Sequence, residues 1–197
     1  MMFAEFTYDE YIERAKAFHG SAAPGILLGG YIVEYAKMNL DGVENYNVIC
    51  ESAHCLPDSV QLLTPCTTGN GRMKIADYGR FAVVFYDQQS GEGVRVYIDY
   101  EKLSQWQVVK EWFMRITTKQ QQSLAELLKN ISDAGDQILG CQKIKMCEVT
   151  KKGKLPPIAI CQQCCEPFPQ VNDEMICLAC GQSLPYKVFQ QSADKTI

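Results

Sequence analysis

Apolar and polar residues alternate in two segments near the middle of the chain, which is the pattern of a half-buried β-strand. These segments run from Arg80 to Asp87 and from Gly93 to Asp99, and the intervening QQSGEG is typical of a hairpin turn. A shorter strand is predicted from Tyr46 to Glu51, and a last one from Ile138 to Val149. The alternation therefore predicts a mainly antiparallel sheet.

Helical spacing of apolar residues precedes the hairpin. Thr7 and Glu10 have the spacing of a capping box, and the helix they open is predicted to reach Phe18. Pro24 begins a second segment that is apolar on nearly all sides, which indicates a buried helix. A short helix is predicted from Pro57 to Leu63.

Two further helices are predicted after the hairpin. Ser104 with Gln107, and Thr118 with Gln121, repeat the capping-box spacing, and an amphipathic segment follows each pair. With four or five helices and four strands, the order of elements predicts an α+β core domain in which helices pack on the sheet.

A tight pattern of cysteines near the end predicts a separate metal-binding module. Cys161 and Cys164 form one CxxC pair, Cys177 and Cys180 form another, and 12 residues separate the pairs. Four thiolates at this spacing make the tetrahedral cage that zinc prefers, with iron in a rubredoxin-like site as the chemical alternative. The module has too few bulky apolar residues to fold alone, so a structural zinc, one per chain, is expected to stabilise it.

Composition shifts set the predicted boundaries. The segment KKGKLPP combines charge, glycine and two prolines, which favours an extended linker. The domains are accordingly a core over residues 1–150, a linker over 151–157, a four-cysteine zinc finger over 158–189 and a flexible polar tail over 190–197.

Composition, charge and hydrophobic pattern argue against a nucleic-acid-binding protein and against a membrane protein. The 197 residues are 47% apolar and 21% charged, the net charge is −4, and no basic stripe is interleaved with aromatic residues. Nucleic acid is therefore not expected as a partner. The longest nearly apolar stretch, Ala22 to Val33, is interrupted by proline and glycine, so no membrane span is expected. The start lacks the pattern of a signal peptide, and a cytoplasmic protein is expected.

The first half of the chain resembles a known family. FHGSAAPGILLGGYIVEYA, followed by CESAHCLPDSVQLLTPCTTGNGRMKIADYGRFAVVF, is similar over Phe18 to about Asp99 to the family named for the E subunit of formylmethanofuran dehydrogenase. The family pattern is F-H-G-H-x-C-P-G, then a C-x-x-D-A-x-Q-x-x-T-G-C-T-x-G-K-G block ending in D-Y-G-K. The resemblance implies an α+β core, an intertwined homodimer and a cavity, lined by the histidine and cysteine motifs, for a metal or small ligand.

Departures from the family pattern remove metal ligands from that cavity. The chain reads HGSAAPG where the family has H-G-H-x-C-P-G, so two of three metal ligands are replaced. His19, Cys55 and Cys66 match the remaining family positions, and His54 is an additional candidate. These four residues are the predicted cavity or second transition-metal site. The alternatives are that both cysteines are small buried apolar groups and that His19 is a cation at a helix C-terminus.

Three classes of function remain open. The first, which the depleted ligand set favours, is an accessory or ligand-binding protein, dimeric, whose zinc finger contacts a protein partner. The second is a thiol-dependent enzyme that uses Cys66 or Cys55 with help from His19 or His54. The third is a regulator that contacts nucleic acid or protein through the zinc finger, although residues 161–186 contain no Lys or Arg for phosphate contacts. An accessory or ligand-binding protein is therefore expected over an enzyme.

Overall fold

The chain divides into two compact units, Met1–Val149 and Thr150–Ile197. A computed structural model describes residues 2–118, 120–148, 155–182 and 185–186. Most of the predicted linker, the end of the predicted zinc finger and the whole of the predicted tail lie outside the described residues. Each unit is described by itself below.

A five-stranded sheet forms the framework of the first unit, in the order β4-β3-β5-β6-β7. Its strands are β3 (Tyr46–Cys50), β4 (Met73–Ile75), β5 (Ala82–Asp87), β6 (Glu92–Ile98) and β7 (Leu139–Lys145). All neighbouring pairs are antiparallel except β3 with β4, which confirms the mainly antiparallel sheet. A small antiparallel pair, β1 (Met2–Phe3) and β2 (Phe6–Thr7), precedes it and escaped the sequence pattern because each strand has two residues.

Local polar contacts fix the first helix. In α1 (Tyr8–His19) the Glu10 backbone N–H donates to the Thr7 hydroxyl, and the Thr7 backbone N–H donates to the Glu10 carboxylate. The predicted capping box is therefore present. Gly20 ends the helix with φ of 84°, a left-handed conformation that costs glycine little.

The helix α2 (Pro24–Asn39) is buried along most of its length and packs on β5 and β6. It also contacts α3 (Leu56–Leu63) and α6 (Leu124–Ala134). Side chains of α3 and of the residue before it occupy the space left by the missing Cβ atoms, with Cys55 against Gly25 and Ser59 against Gly29. The close approach to α2 at these two glycines is thus made by side chains.

Two predicted helix starts were wrong. Ser104 ends the short helix α4 (Tyr100–Leu103), which Asp99 caps, and α5 (Gln107–Phe113) begins without a side-chain cap. Thr118 does bond Gln121, but α6 starts after Ser123, whose hydroxyl accepts from the Glu126 backbone N–H. Spacing alone could not separate these local turns from true helix starts, because Ser and Thr bond nearby backbone groups in both settings. A 3₁₀ turn, Gly135–Ile138, leads from α6 into β7.

The second unit is small and carries little regular structure. It contains the antiparallel pair β8 (Ile158–Ile160) and β9 (Pro167–Pro169) and one helical turn, α7 (Leu178–Gly181). In the part of the chain that the structure describes, no helix has the length and apolar character needed to cross a membrane.

Candidate functional site

The four cysteines of the second unit converge on one point. The Sγ atoms of Cys161, Cys164, Cys177 and Cys180 all lie within 4.8 Å of one another. Cys164 Sγ and Cys177 Sγ are 3.8 Å apart. Zn–S bonds of about 2.3 Å in a tetrahedron place the sulfurs roughly 3.8 Å apart, so this donor set fits zinc in both chemistry and spacing.

Backbone amides prepare this cluster for a cation. The Cys177 N–H donates to Cys161 Sγ over 3.3 Å. That bond, together with the N–H of Cys164, lowers the pKa of Cys161 to about 6. Burial and the neighbouring thiols raise the pKa of Cys180 to about 12. Four crowded sulfurs favour a bound cation, which would offset the negative charge of thiolate ligands brought this close together.

Cys165 serves the turn and does not belong to the quartet. Its φ is 63°, the position where glycine is usual, and its N–H donates to the carbonyl of Cys161 over 2.9 Å. Its side chain is exposed. Gly181, by contrast, does not adopt a positive φ and completes α7.

In the first unit, two of the four predicted core residues lie together. The last residue of α1, His19, places its Nε2 3.9 Å from Cys55 Sγ. Its other ring nitrogen, Nδ1, lies 2.6 Å from Oδ2 of Asp58 in the first turn of α3. Both partners of that contact are partly shielded, with 23% and 30% of their side chains exposed. A thiol, an imidazole and a carboxylate thus form a chain of contacts.

Cys55 has an unusual backbone conformation. Its φ is 54° and its ψ is −50°, and the Leu56 N–H donates to the carbonyl of His54 across it. This is a γ-turn with positive φ at the centre, which is rare and strained for a residue with a side chain. The turn carries the chain from the loop after β3 directly into α3 and directs the thiol toward Gly25 and His19.

The other two predicted core residues lie elsewhere. Cys66 follows α3 and contacts the carbonyl of Tyr46 through its Sγ, whereas Cys55 precedes α3, an eight-residue helix about 12 Å long. Burial raises the pKa of the Cys66 thiol. His54 is exposed, and its backbone N–H bonds the Ser52 hydroxyl. Among the described His, Cys, Asp and Glu residues, only the quartet of the second unit brings three or more ligand atoms within 4.8 Å. A second metal bound by all four core residues stays a prediction.

A groove of about 730 Å³ lies beside the segment that connects His19 to α2. Ala22, Ala23 and Pro24 form one wall, and Trp112, Leu124 and Leu127 contribute apolar surface from α5 and α6. Its volume lies in the range of small-molecule sites. None of the four predicted core residues lines it. No sequence pattern indicated this groove, because its walls come from segments about 100 residues apart.

A buried carboxylate stands beside the γ-turn segment. Glu51 follows β3, and both its oxygens accept from Arg95 over 2.8 Å. Its carbonyl also accepts the N–H groups of Tyr78 and Arg80. Glu51 therefore fixes the loop Ala76–Arg80 against the end of β3. Its role was not predicted from the sequence, because a single Glu at a strand end is usually solvated.

Comparison with known proteins places these features in context. The family described as "FmdE, Molybdenum formylmethanofuran dehydrogenase operon" matches residues 18–148. A crystal structure from Syntrophus aciditrophicus, of a protein like the E subunit (FmdE) of tungsten formylmethanofuran dehydrogenase, is 42% identical, with a TM-score of 0.83. The match covers 94% of this chain and 97% of that one.

A curated relative matches a shorter stretch. A protein of Archaeoglobus fulgidus named "Probable S-adenosyl-L-methionine-binding protein" is 34% identical over 102 residues. The match covers 47% of this chain and 28% of the relative, so this chain corresponds to little more than a quarter of that protein's length.

Proposed function

This chain belongs to the FmdE family, and on that premise we propose that it is a zinc-binding accessory protein: a homodimer with one structural zinc per chain and a small-molecule site in its core unit. The convergence of four Sγ atoms within 4.8 Å carries the metal part of this proposal. Four thiolates suit zinc, which needs no redox chemistry in a structural site.

Exposed apolar side chains support an assembling role. On the core unit, Phe18, Met38 and Ile116 expose 55%, 70% and 64% of their surface. On the second unit, Leu178 and Ile158 expose 74% and 66%. We assign the exposed apolar groups of the core unit to the homodimer interface and those of the second unit to a protein partner, which would cover them on association.

Native mass spectrometry tests metal content and assembly together. We expect a dimer that carries one zinc ion per chain. The double variant Cys161→Ser, Cys164→Ser should lose the metal and stay dimeric, because it removes two of four ligands and leaves the core unit unchanged. Cys165→Ser is the matched control and should keep both the metal and the dimer. A monomer would contradict the assembly, and iron in place of zinc would contradict the metal assignment.

The groove beside α2 is the proposed ligand site. Trp112 provides a flat aromatic surface on which a heterocycle stacks, and the remaining walls are largely apolar. S-adenosyl-L-methionine is the first compound to test, because a relative of this chain is named for binding it. Lys16 also lines the groove, and its ammonium, which pairs with Glu13 over 2.6 Å, offers a positive charge to a ligand carboxylate.

Fluorescence titration checks this assignment. Added S-adenosyl-L-methionine should change Trp112 emission in a saturable way. Trp112→Ala should abolish binding, whereas Trp106→Phe, which alters the other tryptophan outside the groove, should keep it. A wild-type protein that shows no saturable change up to about 1 mM ligand, a binding free energy of about −4 kcal/mol, would rule this ligand out.

A further inference from the structure

We propose that Cys55, His19 and Asp58 form a nucleophilic thiol centre, in which the Cys55 sulfur attacks an activated acyl group, His19 accepts the thiol proton, and Asp58 positions His19. The contacts run in one line, from Asp58 Oδ2 to His19 Nδ1 over 2.6 Å and from His19 Nε2 to Cys55 Sγ over 3.9 Å. Nucleophile, base and orienting group in this order are the arrangement of an activated nucleophile, which acyl transfer uses.

Each member is held by regular structure. His19 is the last residue of α1, while Asp58 lies in the first turn of α3 and its N–H donates to the carbonyl of Cys55 over 3.1 Å. The carboxylate and the thiol are thereby fixed relative to each other, and the imidazole bridges them from another helix. A carboxylate on Nδ1 favours the tautomer that leaves Nε2 free to accept a proton.

A strained backbone turn and close packing against Gly25 fix the position of the Cys55 thiol. The γ-turn at Cys55 places the side chain at the tip of a sharp bend immediately before a helix. The missing Cβ of Gly25 makes room for it, since a Cβ there would lie 2.8 Å from Cys55 Sγ. Gly25 belongs to the first turn of α2, whose partial positive charge stabilises negative charge that develops on sulfur.

The arrangement matches general-base chemistry. The Cys55 thiol is partly buried and its sulfur contacts His19 Nε2, so the base that takes the thiol proton during attack lies beside it. Asp58 also stabilises the imidazolium that forms when the proton moves to His19.

An ester or thioester would react with the centre in two steps. The S–H bond of Cys55 breaks and its proton passes to His19 Nε2, while the sulfur electron pair forms a bond to the carbonyl carbon. The bond to the leaving alkoxide or thiolate breaks with its electron pair, and His19 returns the proton to that group. An acyl-thioester on Cys55 results, and water releases it as a carboxylic acid.

Two probes test the centre on zinc-loaded protein. p-Nitrophenyl acetate should give a burst of one p-nitrophenolate per chain and acetylate Cys55, as read by peptide mass spectrometry. Iodoacetamide should alkylate Cys55 at a rate that His19→Ala lowers by about 100-fold, the usual contribution of a general base. Added imidazole should restore much of that loss. Cys147→Ser, which removes an exposed thiol elsewhere, should leave both readouts unchanged.

Asp58 is tested as a positioning residue through a double-mutant cycle. Asp58→Asn should lower the alkylation rate at least about tenfold in the wild-type background and have little effect when His19 is already Ala. A merely structural role would lower the rate equally in both backgrounds and would overturn the assignment. No burst, or an alkylation rate that is independent of His19, would overturn the nucleophilic role of Cys55. Protection of Cys55 by added zinc, with His19 required for that protection, would show a metal site instead.

Discussion

Removal of the proposed zinc ion by a strong chelator is expected to unfold the second unit and leave the core unit folded. Protease cleavage within residues 155–182 should then become fast, while fragments of the core unit persist. The double variant Cys161→Ser, Cys164→Ser should behave in the same way without chelator. Limited proteolysis read by mass spectrometry, with and without added zinc, measures the effect.

The physical reason is the lack of an apolar core in the second unit. Among its described residues only Cys161 is a buried hydrophobic group, whereas Leu155, Ile158 and Leu178 expose 93%, 66% and 74% of their surface. Short strands and a single helical turn cannot offset the conformational entropy of ordering such a segment. Zinc binding contributes on the order of 10 kcal/mol or more in small domains of this kind, so its loss decides the fold.

The matched control is Cys165→Ser, because Cys165 lies in the same turn and contributes no sulfur to the quartet. This variant should match the wild type in protection from proteolysis at every zinc concentration, with at most a small loss from the changed residue at a positive φ. Protection of residues 155–182 in the presence of excess chelator would contradict a structural metal. If Cys165→Ser lost its protection from proteolysis as fully as the double variant, the turn, and not the metal, would limit the stability of the second unit.

Short-range patterns predicted most of the regular structure. The hairpin of β5 and β6, the capped start of α1 and the cysteine quartet each depend on residues close in sequence, and each lies where its spacing indicated. The two missed helix starts show the limit of such signals, since Thr118 and Gln121 make their predicted contact in a turn that is followed by no helix until Leu124.

Long-range placement could not be predicted in the same way. His19 and Asp58 are 39 residues apart, and nothing in their spacing indicates a contact. The family resemblance grouped Cys55 with Cys66, and no pattern in the sequence indicated that one precedes α3 and the other follows it. The parallel pairing of β4 with β3 could not be predicted either, since β4 has only three residues and these show no clear alternation of apolar and polar positions.

Glu51 forms a cluster with Arg80 and Arg95, and this cluster joins segments that are far apart in the sequence. The Glu51 carboxylate is 6% exposed and receives both Nε and a terminal nitrogen of Arg95, which is 18% exposed. Arg80 adds a third contact at 2.9 Å from a more exposed position. Paired hydrogen bonds of this kind are among the strongest that side chains form. Here they join β6 to the end of β3, while Arg80 adds the loop before β5.

Glu51→Ala is expected to destabilise the core unit by about 3 kcal/mol, since it leaves Arg95 partly buried without a counter-charge. For a unit of this size the loss corresponds to roughly 6–12 °C in Tm. The bond to Arg95 and the charges of Arg95 and Arg80 lower the pKa of Glu51 in the folded state. A lowered pKa means that this stabilisation is fully present above the ordinary value of 4.5 and disappears as the pH falls below it.

Glu92→Gln is the matched control, because Glu92 pairs with Lys145 on the surface, where the two side chains are 72% and 59% exposed. Such a pair contributes at most about 1 kcal/mol, so this variant should melt close to the wild type. Thermal unfolding between about pH 3 and 7 separates the two cases. The difference between wild type and Glu51→Ala should shrink below pH 4.5, while the Glu92→Gln curve follows the wild type throughout. A gap that stays constant with pH would show that Glu51 acts through packing and not through its charge.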